Sequence, residues 1–94
     1  MNQNKDIRLF GAARCHKTQW YMDFFRSKNL PFTFLDVEKN EEAAEALRNL
    51  YESRKLHFPT ILLGEKKLRN PQIVELEKWL IKKEILQPKN DAKA

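Results

Sequence analysis

Polar and apolar residues alternate through Asp6-Ile7-Arg8-Leu9-Phe10 until Gly11 interrupts them, a period of two that predicts a half-buried strand. From His16 to Lys28 the apolar spacing lengthens. Trp20 pairs with Phe24 and Tyr21 with Phe25 at one helical turn's separation, predicting a helix whose broad aromatic face is core. Asn29-Leu30-Pro31 stops that helix, and Phe32-Thr33-Phe34-Leu35-Asp36-Val37, rich in β-formers, predicts a second strand. A second helix is predicted over Glu41–Ser53. Asn40 is its N-cap, Glu41 and Glu42 complement the dipole, and Ala43, Ala46, Leu47, Leu50 and Tyr51 form its apolar stripe. The run Thr60-Ile61-Leu62-Leu63 is apolar throughout, as a buried strand is. Gly64-Glu65 fits a type II′ hairpin loop, and Lys66-Lys67-Leu68 returns as an edge strand whose lysines discourage edge pairing. Asn70 is expected to cap a third helix with Pro71 in its first turn; Ile73, Leu76 and Leu80 face inward, flanked by Val74 and Trp79.

The predicted order is βαβαββα. A helix joins the first two strands, which are therefore parallel through a right-handed crossover, and the last two form an antiparallel hairpin. The fold class is α/β: a mixed four-stranded sheet with helices on both faces. The 94 residues suit one domain, placed at residues 5–84, with a disordered tail over 85–94.

Composition narrows the function. An apolar fraction of 41% and a charged fraction of 33% match a globular domain, and no apolar run approaches the length of a membrane span. The polar start, Met1 to Asp6, has no apolar core of a secretory signal. A single cysteine cannot staple the fold, which favours a reducing, cytoplasmic setting. The net charge of +5 comes from Lys and Arg interleaved with Glu and Asp along the chain. That distribution predicts a solvated surface able to steer acidic partners, and no nucleic-acid partner.

The lone Cys15 lies between the first strand and the first helix, where unpaired N–H groups and the positive dipole end favour a thiolate. Each unit by which a thiol pKa falls requires about 1.4 kcal/mol of preferential thiolate stabilisation. The dipole supplies about 0.3–1 kcal/mol, so hydrogen bonds and cations must supply the rest. Arg14, Lys17 and His16 are the candidate cations, and the Thr18 hydroxyl can reach the sulfur across one turn. The inert alternative is a cysteine packed as a small hydrophobe.

The segment Ile7-Arg8-Leu9-Phe10-Gly11-Ala12-Ala13-Arg14-Cys15-His16-Lys17-Thr18 resembles the glutaredoxin active-site segment: an apolar strand, a four-residue turn, then Cys-x-x-Cys. His57-Phe58-Pro59-Thr60 is similar to that family's Val-Pro-Thr segment, whose proline is cis and packs on the cysteine. The hairpin at Gly64 and the last helix follow at family spacing, so the resemblance covers residues 6–83. It implies a thioredoxin/glutaredoxin fold with Cys15 and Thr18 at the catalytic position. It also implies substrate contacts from Arg14, His16 and Lys17, from Phe58, Pro59 and Thr60, and from Arg69, Asn70 and Gln72.

Thr18 replaces the second cysteine, so no internal disulfide can form. Ala12 stands where glutaredoxins carry a basic residue, and Leu68-Arg69-Asn70-Pro71-Gln72 replaces the Gly-Gly and Asp-Asp elements that hold glutathione. Arg14, Arg69 and Gln72 are the groups that can substitute. The implied activity is monothiol exchange or deglutathionylation through Cys15, serving redox homeostasis. The expected partners are thiol- or disulfide-bearing proteins, with glutathione as co-substrate, no tightly bound cofactor and a monomeric chain. No metal site is expected, since His16 and His57 are the only imidazoles. Iron–sulfur ligation is disfavoured by the missing Gly-Phe-Ser after Cys15. Kinship with arsenate-reductase-like proteins is disfavoured by the short gap from Cys15 to Pro59. The alternative from another class is a redox-inactive thioredoxin-fold binding module.

Overall fold

The computed structural model describes residues 6–87. In chain order these form β1 (Ile7–Gly11), α1 (His16–Ser27), β2 (Thr33–Asp36), α2 (Glu41–Arg48), β3 (Thr60–Leu63), β4 (Lys66–Arg69) and α3 (Ile73–Lys82). The strands make one mixed sheet in the order β2-β1-β3-β4. The β1–β2 pair is parallel, while β1–β3 and β3–β4 are antiparallel.

Alternation along the strands divides the core between two faces. Ile7 and Leu9 of β1 with Ile61 and Leu63 of β3 meet Tyr21 and Phe25 of α1 and Leu76 and Leu80 of α3. Phe10 points to the other face, where Ala43, Ala44 and Leu47 of α2 cover it together with Leu62 and Phe58. Helices therefore lie on both faces, and the fold is thioredoxin-like. Of the two hairpin residues only Gly64 has a positive φ, 61°, as a type II′ loop requires.

Both long helices end in the same way. Beyond α1, Asn29 adopts the left-handed region at φ 58°; its N–H bonds to Arg26 O and that of Leu30 to Phe25 O. Beyond α3, Glu84 does likewise at φ 61°, and the N–H groups of Ile85 and Leu86 reach Leu80 O. Ile85 and Leu86 consequently pack against the core, so packing continues past the boundary expected at residue 84. The rest of the expected tail, residues 88–94, and the opening residues 1–5 lie outside the described residues.

Four local expectations are corrected. The helix expected to reach Ser53 stops at Arg48, because Leu50 N and Tyr51 N bond three residues back, to Leu47 O and Arg48 O. Ala44, not Ala46, takes the buried position of α2. The N-cap of α3 is Gln72, without a side-chain cap bond, rather than Asn70. Asn70 instead turns the chain at φ 48°, donates its N–H to Pro59 O at 2.9 Å, and gives its side chain to α1. The aromatic face of α1 is also only partly core: Tyr21 and Phe25 are buried, but Trp20 is 50% exposed, and Val74 on α3 is 74% exposed.

Among the described residues no helix is long and apolar enough to cross a membrane. The Asn40 side chain accepts from the N–H groups of Glu42 and Ala43, at 2.9 and 3.1 Å, and the Gln72 side chain makes no such bond. Asn40→Ala is therefore expected to cost about 1 kcal/mol in denaturant unfolding, with Gln72→Ala near neutral. Equal losses from the two variants would contradict this assignment of the caps.

Candidate active site around Cys15

Strand β1 delivers the chain into a turn closed by the Cys15 N–H on Ala12 O at 2.9 Å. Cys15 has extended backbone angles (φ −85°, ψ 122°) and stands at the N-cap of α1, partly exposed. Its carbonyl already accepts the first helical bond, from Gln19 N at 3.0 Å. The sulfur thus occupies the position at which a capping oxygen would meet the free N–H groups of the first turn.

No full cap bond closes on the sulfur. The groups around it nonetheless favour the thiolate over the thiol. Partial burial opposes ionisation and pushes the Cys15 pKa up. The Thr18 hydroxyl, the N–H groups of Thr18 and Lys17 and, last, the charge of Arg14 outweigh it, so the pKa lies below the ordinary thiol value. A hydrogen bond to a charged group contributes about 1.5–3 kcal/mol against about 0.3–1 for the dipole, so the Thr18 contact dominates the favourable side.

Thr18 is fully buried, and its Oγ1 accepts the Ala12 N–H at 3.3 Å. With that lone pair engaged, the hydroxyl hydrogen is left for the sulfur. Gly11 makes the approach possible: a Cβ there would sit 2.3 Å from Thr18 Oγ1 and 2.7 Å from its Cγ2. Sequence reasoning treated Gly11 only as the end of an alternating pattern. The available signal was a glycine at a strand position, which often marks close approach of another group.

The expected cations play smaller parts. Arg14 is 76% exposed at its side chain and turns away to Glu38, donating from Nε to Oε1 at 2.9 Å and from Nη2 to Oε2. The β2–α2 turn presents that glutamate, since Asp36 Oδ1 accepts from the N–H groups of Glu38 and Lys39. With its charge compensated, Arg14 contributes least of the groups lowering the Cys15 pKa. Lys17 acts on the sulfur through its backbone N–H, while its ammonium reaches Asn70 Oδ1 at 3.4 Å. His16 is exposed at the start of α1.

The remaining expected residues separate into two groups. His16, Lys17, Asn70 and Gln72 line a cleft of about 490 Å³ between α1 and the β4–α3 turn, together with Trp20, Tyr21, Pro71 and Ile73. Tyr21 was missed as a site residue. Its hydroxyl donates to Pro71 O, and burial first, then the Glu75 charge, push its pKa up to about 12, so it stays a neutral anchor for that turn.

The second group borders the start of β3. Phe10 pairs with Thr60, and Thr60 with Arg69, so Pro59 lies at the end of the sheet from which the Cys15 loop departs. The Phe58–Pro59 peptide bond is cis. Among the described residues the Phe58 N–H and C=O have no hydrogen-bond partner. Thr60 does not offer its side chain to a substrate as expected. It is fully buried, donates to His57 O and pairs with Tyr51 Oη at 2.9 Å. Arg69 also departs from expectation. Its neighbour Leu68 points into the α1/α3 core, so Arg69 projects to the opposite face, away from the cleft. Among the described residues no group of three or more His, Cys, Asp and Glu side chains could hold a metal.

A thiol at a helix N-terminus, on a mixed sheet with a cis-proline at the same end, is the arrangement of a thioredoxin-like fold. The glutaredoxin family profile matches residues 7–68, and the chain belongs to the glutaredoxin family. Among solved structures it is similar to a point mutant of the thioredoxin-like protein BC3987 (TM-score 0.68, 23% identity), covering 82% of this chain and 96% of that one. It is also similar to a glutaredoxin from Archaeoglobus fulgidus (TM-score 0.65, 16% identity, 79% of this chain and 84% of that one). A buckwheat glutaredoxin, solved as a glutathione complex, matches at TM-score 0.65 and 11% identity over 89% and 84% of the two chains. No curated protein sequence matches significantly.

Two variants probe the sulfur's surroundings. Gly11→Ala forces Thr18 aside and is expected to cost about 1–3 kcal/mol in unfolding experiments, with partial relief when combined with Thr18→Ala. A neutral Gly11→Ala variant would contradict the close approach. Thr18→Val keeps the shape and removes the hydroxyl. Its Cys15 alkylation profile should move to higher pH than that of the wild type, whereas Thr18→Ser should move less; an unmoved Thr18→Val profile would assign the effect to the N–H groups alone.

Proposed function

We propose that the chain is a monothiol thiol–disulfide oxidoreductase in the cytoplasm, acting on mixed disulfides that include glutathionylated proteins. The observation that carries this reading is a single, partly exposed sulfur at the N-cap of α1, one turn before the buried Thr18, where the Thr18 hydroxyl and the first-turn N–H groups hold the Cys15 pKa low. The unpartnered Phe58 backbone, at the end of the sheet from which the Cys15 loop departs, supports the reading, because a substrate strand could take up both groups and present its disulfide to Cys15.

The chemistry balances in two exchanges. Cys15 thiolate attacks the glutathione sulfur of a protein–glutathione disulfide, forming a Cys15–glutathione disulfide and releasing the protein thiolate. An external glutathione thiolate then attacks the glutathione sulfur of the adduct, yielding oxidised glutathione and returning Cys15 as thiolate. The same groups that stabilise the thiolate make Cys15 a good leaving group in the second exchange. The chain has no second cysteine to intercept the adduct. Lys17, Asn70 and Gln72 in the cleft are the groups placed to meet glutathione as co-substrate, in place of the Arg14 and Arg69 contacts expected from sequence.

Arg14 being held by Glu38, with Arg69 on the opposite face, favours a second reading: a fold retained as a binding module without turnover. Mass spectrometry separates the two. Incubation with a glutathionylated peptide should place one glutathione on the wild type and none on Cys15→Ser. Free glutathione should then remove the adduct faster than it reduces a small-molecule disulfide. Thr18→Cys should release the bound glutathione and form an internal disulfide. A wild type that takes up no glutathione, while its unfolded chain does, would favour the binding module.

A further inference from the structure

The edge strand β4 divides its side chains between the two faces of the sheet. Leu68 enters the α1/α3 core, whereas Lys67 lies over the Tyr51 ring, 4.2 Å from its centroid, and donates to Leu50 O at 2.7 Å. Arg69, two residues on, shares that face with Lys67. The loop between α2 and β3 borders them. Tyr51 packs edge-on against His57 with centroids 4.7 Å apart, and His57 Nε2 is 3.1 Å from Ser53 Oγ. Arg54, at φ 59°, fastens the loop through its N–H to Tyr51 O and its guanidinium to Asn49 and Glu45. Lys55 follows directly and is exposed.

This face is net positive. Glu41 and Glu45 of α2 are tied to Arg48 and Arg54, while Lys55, Lys67 and Arg69 make no ion pair among the described residues. One carboxylate in the loop, Glu52, also makes none, leaving three cations against one anion. His57 registers the field: partial burial first, then the charges of Arg69, Lys55 and Lys67, hold its pKa below the ordinary histidine value. The face lies beside the free Phe58 backbone, at the end of the sheet that carries Cys15.

We propose that Lys55, Lys67 and Arg69 dock an acidic segment of the protein substrate next to the disulfide that Cys15 attacks. The role beside a reacting disulfide rests on the oxidoreductase reading; the docking surface itself does not. Charge complementarity selects an acidic chain. Tyr51 is already engaged by Lys67 over its face and by His57 at its edge, which disfavours it as a platform for stacking a nucleobase. The substrate strand aligned along Phe58 would carry its acidic residues toward Arg69 and Lys67.

Binding of Cys15→Ser protein to a disulfide-free Asp-rich peptide and to its Asn-substituted counterpart tests the surface. Preference for the Asp peptide should be about tenfold at low salt and fall toward parity as salt shortens the screening length. NMR shifts should concentrate at Lys55, His57, Lys67 and Arg69. Lys55→Glu, at an exposed position whose side chain makes no hydrogen bond or ion pair among the described residues, should reduce the preference several-fold while circular dichroism stays unchanged. Equal binding of the two peptides, or a preference untouched by Lys55→Glu, would overturn the proposal. Displacement of the Asp peptide by glutathione would assign the face to glutathione carboxylates, and tighter binding of a single-stranded oligonucleotide would assign it to nucleic acid; either result overturns it. If the Asp peptide binds but its glutathionylated form exchanges nothing with wild-type Cys15, the surface stands and the oxidoreductase reading fails.

Discussion

Thr18 Oγ1 accepts a hydrogen bond from the Ala12 N–H, and that contact determines where its own hydrogen can go. The hydroxyl is fully buried, so an unmade bond would carry the desolvation cost of a lost partner, about 1–3 kcal/mol. The Thr18 hydroxyl is the foremost of the groups that hold the Cys15 pKa below the ordinary thiol value, and a sulfur accepts most strongly as a thiolate. Everything around this pair serves to hold it. Gly11 leaves the room that a Cβ would fill, the Ala12–Cys15 turn sets the sulfur at the N-cap, and the parallel β1–β2 pair fixes where that turn begins. Thr18, at the position of the second cysteine of a Cys-x-x-Cys pair, is the foremost of the groups that favour the thiolate of the sulfur that remains.

The sheet gives the site two flanks of different character. On the α1/α3 side, Tyr21 and Asn70 brace the β4–α3 turn against α1 and form a cleft with one cation, Lys17, and two amides, Asn70 and Gln72. On the α2 side, the same edge strand presents Lys67 and Arg69 beside the free backbone of Phe58. Under the proposed function, glutathione and an acidic protein chain would approach one sulfur from different faces of β4. The alternation of a single four-residue strand is what separates them.

The architecture was legible because its signals are local and redundant. Alternation at Ile7–Phe10, the apolar run Thr60–Leu63 and the Gly64 loop each specify one element and no other, and together they leave one topology. Cys15 was legible for the same reason, as it stands between a strand and a helix. The errors arose where a side chain had two possible partners. Asn70 has the chemistry of an N-cap, but its left-handed backbone and the reach of Lys17 and Tyr21 turn it to bracing a turn. Arg14 is adjacent to Cys15 in sequence, yet Glu38, brought in by the Asp36 turn, claims its guanidinium. Thr60 carries a family motif, but Tyr51 and His57 occupy its hydroxyl. Such competitions are decided by long-range neighbours, which no local pattern encodes.

Because burial opposes and hydrogen bonds favour ionisation, the sign of the Cys15 pKa shift is the central physical claim. A thiol with a lower pKa in the folded chain than in the unfolded chain adds stability as pH rises between the two values, and that increment is lost as pH falls through the folded pKa. The direct measurement is thiolate absorbance near 240 nm against pH, in folded protein and in denaturant, with Cys15→Ser as the blank. The folded titration is predicted to lie below the unfolded one. A folded midpoint at or above the unfolded value would mean that burial wins, and the account of Cys15 as a poised nucleophile would be contradicted.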